Sequence, residues 1–231
     1  MRPNKTQMKQ KPEKIIYDNQ EEVHDKNLRI VLLRHGETVY NREKRLQSPK
    51  DSLTEEGKEQ IFKLKERLIK FNFDEIISSD ERRAIESAEI ISRWSKKNFK
   101  KISLIREKSS GDFSDKLVSE VDWSLVNGSF LDKKIPGGDS VQDVIVRASD
   151  FFKMLNQFEQ GKNILVISHG TFLRVLFCLI FNKDIKEYLL DYEFPNSSYI
   201  VISRSESGKW ILEKSPLIKK ANNKNDTLNL T

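Results

Sequence analysis

The feature that most constrains this chain is the alternation of short apolar runs with amphipathic segments. Residues 28–33 and 163–168 are short and almost wholly apolar, which is typical of strands buried on both faces of a sheet. Further strands are predicted at residues 73–78, 101–105, 198–203 and 209–212. These runs are too short for helices and are bounded by polar segments, so they indicate a sheet of several short strands.

The intervening segments place apolar residues three or four positions apart, as an amphipathic helix does. Thr54 is suited to cap a helix that runs to about Lys70, and Asp139 or Ser140 to begin a long helix. Helices are also predicted over residues 82–95 and 172–181. Strands that alternate with helices in this way predict an α/β domain with a mainly parallel central sheet.

The chain has 231 residues and 37% hydrophobic residues, enough for one well-buried core. We expect a single domain over residues 28–218, flanked by flexible polar tails at residues 1–27 and 219–231. The net charge is +6 and is weighted toward the two ends of the chain. No nucleic-acid-binding motif accompanies this charge, so no nucleic-acid partner is predicted.

The cysteine count and the hydropathy of the chain indicate the cellular compartment that we expect. Cys178 is the single cysteine, which fits a reducing cytosol and, in an apolar run, a buried core residue. The longest apolar run, residues 175–181, is far below the roughly 20 residues that a membrane helix needs. We therefore expect a soluble cytoplasmic protein without a membrane partner. The sequence does not indicate an oligomeric state.

Two histidines follow the two most apolar runs directly. Arg34-His35-Gly36 ends the first run, and Ser168-His169-Gly170 ends the second. Ligands of open α/β sheets bind beyond the carboxyl ends of the strands, and glycine allows a sharp turn and a close approach of ligand. If the two strands are neighbours, both imidazoles face one pocket.

Two other predicted strand ends lead toward Arg83 and Glu107. Arginine matches two phosphate oxygens, imidazole can act as a nucleophile, and a carboxyl group can give and then take a proton. This set of residues suits phosphoryl transfer. The single cysteine and three scattered histidines show no spacing of a zinc site, and no metal or cofactor is predicted.

Five motifs in order over about residues 28–202 resemble the histidine phosphatase superfamily, also called the phosphoglycerate mutase-like family. They are Arg34-His35-Gly36-Glu37-Thr38 with Asn41, Asp51-Ser52-Leu53-Thr54 with Gly57 and Gln60, Ser78-Ser79-Asp80-Glu81-Arg82-Arg83-Ala84, Arg106-Glu107 with Gly111, and Ser168-His169-Gly170. Pro136-Gly137-Gly138-Asp139-Ser140 also resembles the start of the family's long helix. The resemblance implies a three-layer α/β/α fold without a metal.

By this resemblance, His35 is the nucleophile that becomes phosphorylated, and Glu107 is the general acid and then the general base. Binding of the phosphoryl group is expected from the remaining matched residues, Arg34, Asn41, Gln47, Arg83, His169 and Gly170. Gln47 is followed by Ser48 where many relatives have glycine, so its local turn departs from the family pattern.

Several alternatives stay open at this level. Glu37 competes with Glu107 as the proton shuttle, and Asn41 can instead cap a turn. Of the two adjacent arginines, Arg82 fits the role of a solvated helix residue better than Arg83 does. Arg147 is interpreted as a charge on the face of the long helix. His24 and the three tryptophans, Trp94, Trp123 and Trp210, fit structural roles better than ligand binding.

The motifs leave three functions, of which we favour a phosphomonoester hydrolase. The mutases that this chain resembles carry a long insertion after the acid, with paired arginines for the substrate carboxylate. Here the interval from Glu107 to Pro136 is short and contains Lys108 and Lys116 but no arginine pair. A phosphoglycerate mutase-type phosphotransferase and a non-catalytic phospho-ligand binder are the alternatives. The substrate is predicted to be a small phosphorylated molecule, without further identification.

Overall fold

The structure is a computed structural model, and it describes residues 26–220. Six strands form the central sheet in the order β3-β2-β4-β1-β6-β7. Their bounds are β1 (Leu28–Arg34), β2 (Glu75–Ser79), β3 (Phe99–Ile102), β4 (Asn163–Ser168), β6 (Tyr199–Arg204) and β7 (Trp210–Lys214). The first four are mutually parallel, and β6 and β7 are antiparallel additions at one edge. A separate pair joins β5 (Tyr192–Glu193) to β8 (Ile218–Lys219).

Helices cover both faces of the sheet. They are α1 (Val39–Glu43), α2 (Glu55–Lys63), α3 (Lys65–Leu68), α4 (Arg82–Ser95), α5 (Val141–Leu155), α6 (Gly170–Phe181) and α7 (Ile185–Asp191). In β1, Leu32 packs into a core with α5 and α6, whereas its neighbour Val31 packs into a second core with α2 and α4. Successive side chains of a strand point to opposite faces, so a strand buried on both sides reads as a continuous apolar run. The three-layer α/β/α prediction is confirmed.

Two predicted elements differ most from the structure. The third strand occupies Phe99–Ile102, and residues Ser103–Ile105 turn into a 3₁₀ helix. Its partner β2 ends at Ser79, which pairs with Ile102, so the chain has no further strand to pair with. The helix that Thr54 caps ends at Lys63, and α3 and a 3₁₀ turn complete the segment to Phe71.

The C-terminal end of the described chain differs slightly from the predicted tail. Ile218–Lys219 forms β8, so regular structure extends into the segment predicted as a tail. Residues 221–231 of that tail and residues 1–25, including His24, lie outside the described residues. Within residues 26–220, no helix is long and apolar enough to cross a membrane. Cys178 is buried in the core beside α7, as predicted.

Candidate active site

The two histidine motifs meet because β1 and β4 are adjacent and parallel. Arg34 pairs with Ser168 in the register, and the backbone N–H of His35 donates to the Ser168 carbonyl at 3.1 Å. The two strands therefore end at the same level of the sheet. The imidazole rings of His35 and His169 lie 5.2 Å apart between centroids, and neither has exposed surface.

The hydrogen bonds of His35 define which of its nitrogens can act as a nucleophile. Nδ1 lies 2.7 Å from the Gly36 carbonyl, which can only accept, so Nδ1 carries the proton in the neutral ring. Nε2 then keeps its lone pair, and the Arg83 Nε–H donates to it at 3.3 Å. Burial, with Arg83 and Arg34 nearby, holds the pKa of His35 well below its ordinary value of 6.5. The ring is consequently neutral at physiological pH.

Arg83 is one of two arginine cations in the site. It lies on the first turn of α4, is 1% exposed, and donates to the Ser48 carbonyl at 2.9 Å and to Glu81 Oε2 at 2.5 Å. Its neighbour Arg82 is exposed and pairs with Glu86 on the outer face of the helix. The structure thus brings Arg83, and not Arg82, to the histidines.

Arg34 reaches the same region from the end of β1. Its Nη1 donates to the Phe194 carbonyl at 2.5 Å, and its Nε is buried without a hydrogen-bond partner. Burial lowers the pKa of Arg34 to about 10, which still leaves the guanidinium charged at neutral pH. A buried cationic donor without a hydrogen-bond partner destabilises the folded protein unless a ligand accepts its hydrogen bond. An anionic ligand at this position would do so.

Glu107 follows the 3₁₀ turn after β3 and points at the start of α6. Its two carboxylate oxygens accept backbone N–H groups of Thr171 at 3.0 Å, Phe172 at 3.3 Å and Lys108 at 2.9 Å. Burial raises the pKa of this carboxyl, but these hydrogen bonds and the nearby arginines outweigh burial and hold the pKa below 4.5. Glu107 retains some exposed surface, so it lies at the edge of the site.

Arg147 holds the Glu107 segment in place, which corrects its prediction as a charge on a helix face. Its guanidinium donates to the carbonyls of Leu104, Arg106 and Glu107 and to Asp139 Oδ2. Ser168 Oγ donates to the Ile105 carbonyl just before this segment. The backbone that carries Glu107 is therefore tied both to α5 and to the end of β4.

Glu37, the competing carboxylate, lies on the outer side of the first motif. It accepts hydrogen bonds from Arg42 at 2.6 Å and from Thr54 Oγ1 at 2.9 Å. The Arg42 and Thr54 hydrogen bonds lower the pKa of Glu37. Glu37 is thus engaged by α1 and by the cap of α2, while Glu107 lies within the field of Arg34 and Arg83.

The amide side chains of the first motif converge on Thr38. Asn41 completes a capping box with Thr38, so the capping role considered for it is present. Gln47 Nε2 donates to Thr38 Oγ1 at 3.0 Å. Asn196 bridges this group to the nucleophile, because its Nδ2 lies within 3.3 Å of the His35 carbonyl and 3.0 Å of Asn41 Oδ1. Asn41 and Gln47 are therefore part of the loop around His35.

Two glycines explain why the first motif keeps close to α2. A Cβ on Gly36 would overlap the carbonyl of Gly57, and a Cβ on Gly57 would overlap the backbone of Glu37. The chain after His35 can approach the first turn of α2 only because both residues lack side chains. Gly170 is different: a Cβ there would lie 3.4 Å from Arg34 Nε, an ordinary contact distance.

A second region follows the Glu107 segment, forms hydrogen bonds with Lys44 and Leu46, and is built differently. We call Arg34, His35, Arg83 and His169 the floor, and residues 111–135 the wall. The wall contains three 3₁₀ turns, Gly111–Phe113, Val118–Glu120 and Trp123–Leu125. It starts at Gly111, whose φ of +47° suits glycine and which packs against Pro136–Gly138.

Sequence reasoning gave no role to three residues that the structure places here. Glu81 lies between Arg83 and His169, Asn196 supports the His35 loop, and Arg174 Nε donates to the Gly170 carbonyl. Glu81 lies two residues after the end of β2, and a carboxylate so near a strand end is a signal that could have identified it. The other two lie on elements whose packing the sequence does not reveal.

The groups that converge here are two arginines and two neutral imidazoles, with the carboxylates of Glu81 and Glu107 beside them. Within residues 26–220, no three His, Cys, Asp or Glu side chains are grouped so as to hold a metal ion. His169 shares the low pKa of His35, because burial, Arg83 and His35 all disfavour its charged form. The floor thus presents two arginine cations and two neutral rings at the carboxyl end of the sheet, an arrangement suited to an anionic ligand.

The chain is similar to several known proteins. A curated relative, "Probable phosphoglycerate mutase GpmB" of Salmonella choleraesuis strain SC-B67, is 36% identical over 157 residues, which cover 64% of this chain and 73% of the relative. The alpha-ribazole phosphatase of Shigella flexneri has the same fold, with a TM-score of 0.69, 22% identity, and coverage of 80% and 94% of the two chains. A mycobacterial glucosyl-3-phosphoglycerate phosphatase, solved with VO3, gives a TM-score of 0.67 at 24% identity, covering 80% and 96%. The family model described as histidine phosphatase superfamily, branch 1, matches residues 30–215. This chain therefore belongs to branch 1 of the histidine phosphatase superfamily.

Proposed function

We propose that this protein is a phosphatase that hydrolyses small phosphomonoesters through a phosphohistidine on His35. The observation that carries the proposal is the state of the His35 ring. It is neutral, its proton is fixed on Nδ1 by Gly36, and its Nε2 lone pair is directed toward Arg83. A neutral imidazole with an oriented lone pair is what in-line attack on phosphorus requires.

In the first step, Nε2 of His35 attacks phosphorus, and the bond from phosphorus to the leaving oxygen breaks. Arg34 and Arg83 bind the phosphoryl oxygens, and His169 contributes a further contact from the other strand end. Positioning and charge stabilisation supply most of the catalysis in phosphoryl transfer, since there is little covalent chemistry for the protein to perform. The proton that the leaving oxygen takes up comes from Glu107.

In the second step, Glu107 accepts a proton from water, which attacks phosphorus and releases inorganic phosphate and neutral His35. Glu107 must be protonated when substrate binds, although its pKa is low in the free protein. A bound phosphoryl dianion offsets the charges of Arg34 and Arg83, which are among the groups that lower this pKa. Substrate binding therefore raises the pKa of Glu107 and favours its acid form.

Hydrolysis is favoured over transfer to a second substrate by the segment after Glu107. The wall is short, and it contains no arginine. An intermediate that water can reach is hydrolysed rather than retained. The curated relatives carry the name of a mutase, so phosphoglycerate mutase-type transfer is the second candidate function.

The direct test is hydrolysis of p-nitrophenyl phosphate in excess chelator by the wild type and by His35→Ala. We expect metal-independent turnover by the wild type, because the two arginines meet the phosphoryl charge, and none above background by the variant. Thermal unfolding of both proteins checks that the variant is folded. Equal turnover by the two proteins would overturn the phosphohistidine proposal. A folded wild type that does not turn over would favour mutase activity or phospho-ligand binding.

A further inference from the structure

Glu81 is a buried carboxylate that contacts two groups of the floor. Its Oε2 lies 2.5 Å from Arg83 Nη2 and 3.2 Å from His169 Nε2. The second distance is within ion-pair range but is not aligned as a hydrogen bond, since both ring nitrogens of His169 have no hydrogen-bond partner. One carboxylate oxygen therefore lies between two groups that the proposed function assigns to the phosphoryl oxygens.

The burial of the nucleophile gives a second, independent observation. His35 and His169 have no exposed surface and Arg83 is 1% exposed, so a substrate cannot reach Nε2 of His35 in this arrangement. Arg83 covers that nitrogen directly, and Arg83 is itself held by Glu81. Some of these contacts must open before phosphorus can approach the nucleophile.

We propose that the Glu81 carboxylate occupies the place of a phosphoryl oxygen in the ligand-free protein and that the phosphoryl group displaces it from Arg83 and His169. This inference rests on the proposed function, because it takes these two residues as phosphoryl ligands. Glu81 carries at most one negative charge, whereas a phosphate monoester carries about 1.5 to 2 at pH 7. The exchange therefore favours a phosphoryl group over singly charged anions and weakens binding of the product, inorganic phosphate.

The charges around Glu81 determine when it competes. It faces Arg83 from α4, His169 from the end of β4, and Arg106 and Glu107 from the segment after β3, and it accepts a hydrogen bond from the Glu107 backbone. Burial raises the pKa of Glu81 above its ordinary value, and Glu107 adds to this effect, although Arg83 opposes it. Above that pKa, Glu81 is an anion and competes with phosphate. Below it, Glu81 is neutral and the competition ends.

The test is the dissociation constant of inorganic phosphate, measured by titration calorimetry in excess chelator. Loss of a competing charge-assisted hydrogen bond predicts about 10- to 100-fold tighter binding by Glu81→Gln at pH 8. As pH falls through the pKa of Glu81, the ratio of wild-type to variant dissociation constants should shrink toward one. The protonation state of phosphate also changes with pH, but it affects both proteins equally. It therefore cancels in the ratio of their dissociation constants at each pH.

Glu89→Gln is the matched control, because it removes one carboxylate from the exposed face of the same helix. It should bind phosphate as the wild type does, within about twofold. Glu81→Met serves as a second variant if thermal unfolding shows that the glutamine variant is not folded. A wild-type structure with phosphate bound gives a check that needs no variant: Glu81 should have left Arg83 Nη2.

Phosphate binding by Glu81→Gln that is equal to or weaker than that of the wild type would overturn the inference. So would bound phosphate beside an unchanged contact between Glu81 and Arg83. Neither result depends on turnover, so the hydrolysis test with His35→Ala stands or fails separately. A marked loss of turnover in Glu81→Gln without tighter phosphate binding would instead make Glu81 a proton donor.

Discussion

The floor and the wall of the site are built in opposite ways. Arg34, His35 and His169 of the floor lie at the ends of two buried central strands, and Arg83 lies on the first turn of α4. Three of these four side chains are almost fully enclosed. The wall has three short 3₁₀ turns and a small core of its own, formed by Phe113, Val121 and Ile135. Leu125 and Leu131 of the wall are exposed to solvent.

This difference suggests that the floor performs the chemistry and the wall selects the substrate. Catalytic groups must be held in narrow geometry, which strands and their hydrogen-bonded ends provide. A wall of short turns on a small core tolerates changes of shape, which suits selection among leaving groups. Glu107 lies at the junction, fixed by α6 on one side and leading into the wall on the other. We therefore expect substitutions in the floor to affect chemistry and substitutions in the wall to affect substrate preference.

The largest effect is expected at the junction. Glu107→Gln should lower kcat for alkyl phosphates by about 10²- to 10⁴-fold, because the leaving alkoxide then lacks its proton donor. With p-nitrophenyl phosphate, whose leaving group needs little protonation, the variant should release about one nitrophenolate per site in a burst and then slow down. Stopped-flow absorbance measures both phases.

The matched control for that variant is Glu37→Gln, which removes the carboxylate paired with Arg42. It should change kcat by less than about threefold, since Arg42 is exposed and Glu37 is only partly buried. A larger loss in Glu37→Gln than in Glu107→Gln would reverse the assignment of the proton shuttle.

The second-largest effect is expected at Arg83, and it should not be shared by the adjacent Arg82. Arg83→Met should lower kcat/KM for p-nitrophenyl phosphate by about 10²- to 10³-fold, because it removes a preorganised donor to the transferring phosphoryl group. Arg82→Met removes an exposed charge from the same helix turn and should change kcat/KM by less than about threefold. Steady-state kinetics on both variants decide the point. Similar losses in the two would show that α4 contributes only a general positive field.

The smallest effect is expected in the wall. Trp123 packs edge-on against Phe113 and donates to the Val118 carbonyl, both within the wall. Trp123→Ala should leave kcat/KM for p-nitrophenyl phosphate within about threefold and change the ratios among a panel of larger phosphomonoesters. A uniform loss across the panel would mean that the wall supports the chemistry as well.

The same contrast explains what the sequence predicted. The strands at residues 28–33 and 163–168 and the α4 helix were predicted within one residue, because burial on two faces and helical period are local patterns. The third strand was placed two residues too late at its start, because its bounds depend on pairing with β2. The wall has no period, so its turns were not predicted.

At the site, the strand ends predicted the proximity of His35 and His169, but not the contacts between side chains. Arg147 looks like a surface charge in sequence, and only the packing of α5 beside residues 104–107 reveals its hydrogen bonds. The place of Glu81 near a strand end is visible in the sequence, but its contact with His169 is not, because that contact joins residues from two separate strand ends. Side-chain contacts between distant segments are a property of the fold rather than of any local pattern.

The central claim is that the phosphoryl group passes through His35, and the most direct measurement is to trap it there. Glu107→Gln, mixed with p-nitrophenyl phosphate and denatured at neutral or alkaline pH, should yield a peptide that carries one phosphoryl group on His35 by mass spectrometry. The double variant with His35→Ala should yield none. A phosphoryl group on another residue, or steady hydrolysis by a folded His35→Ala protein, would contradict the account.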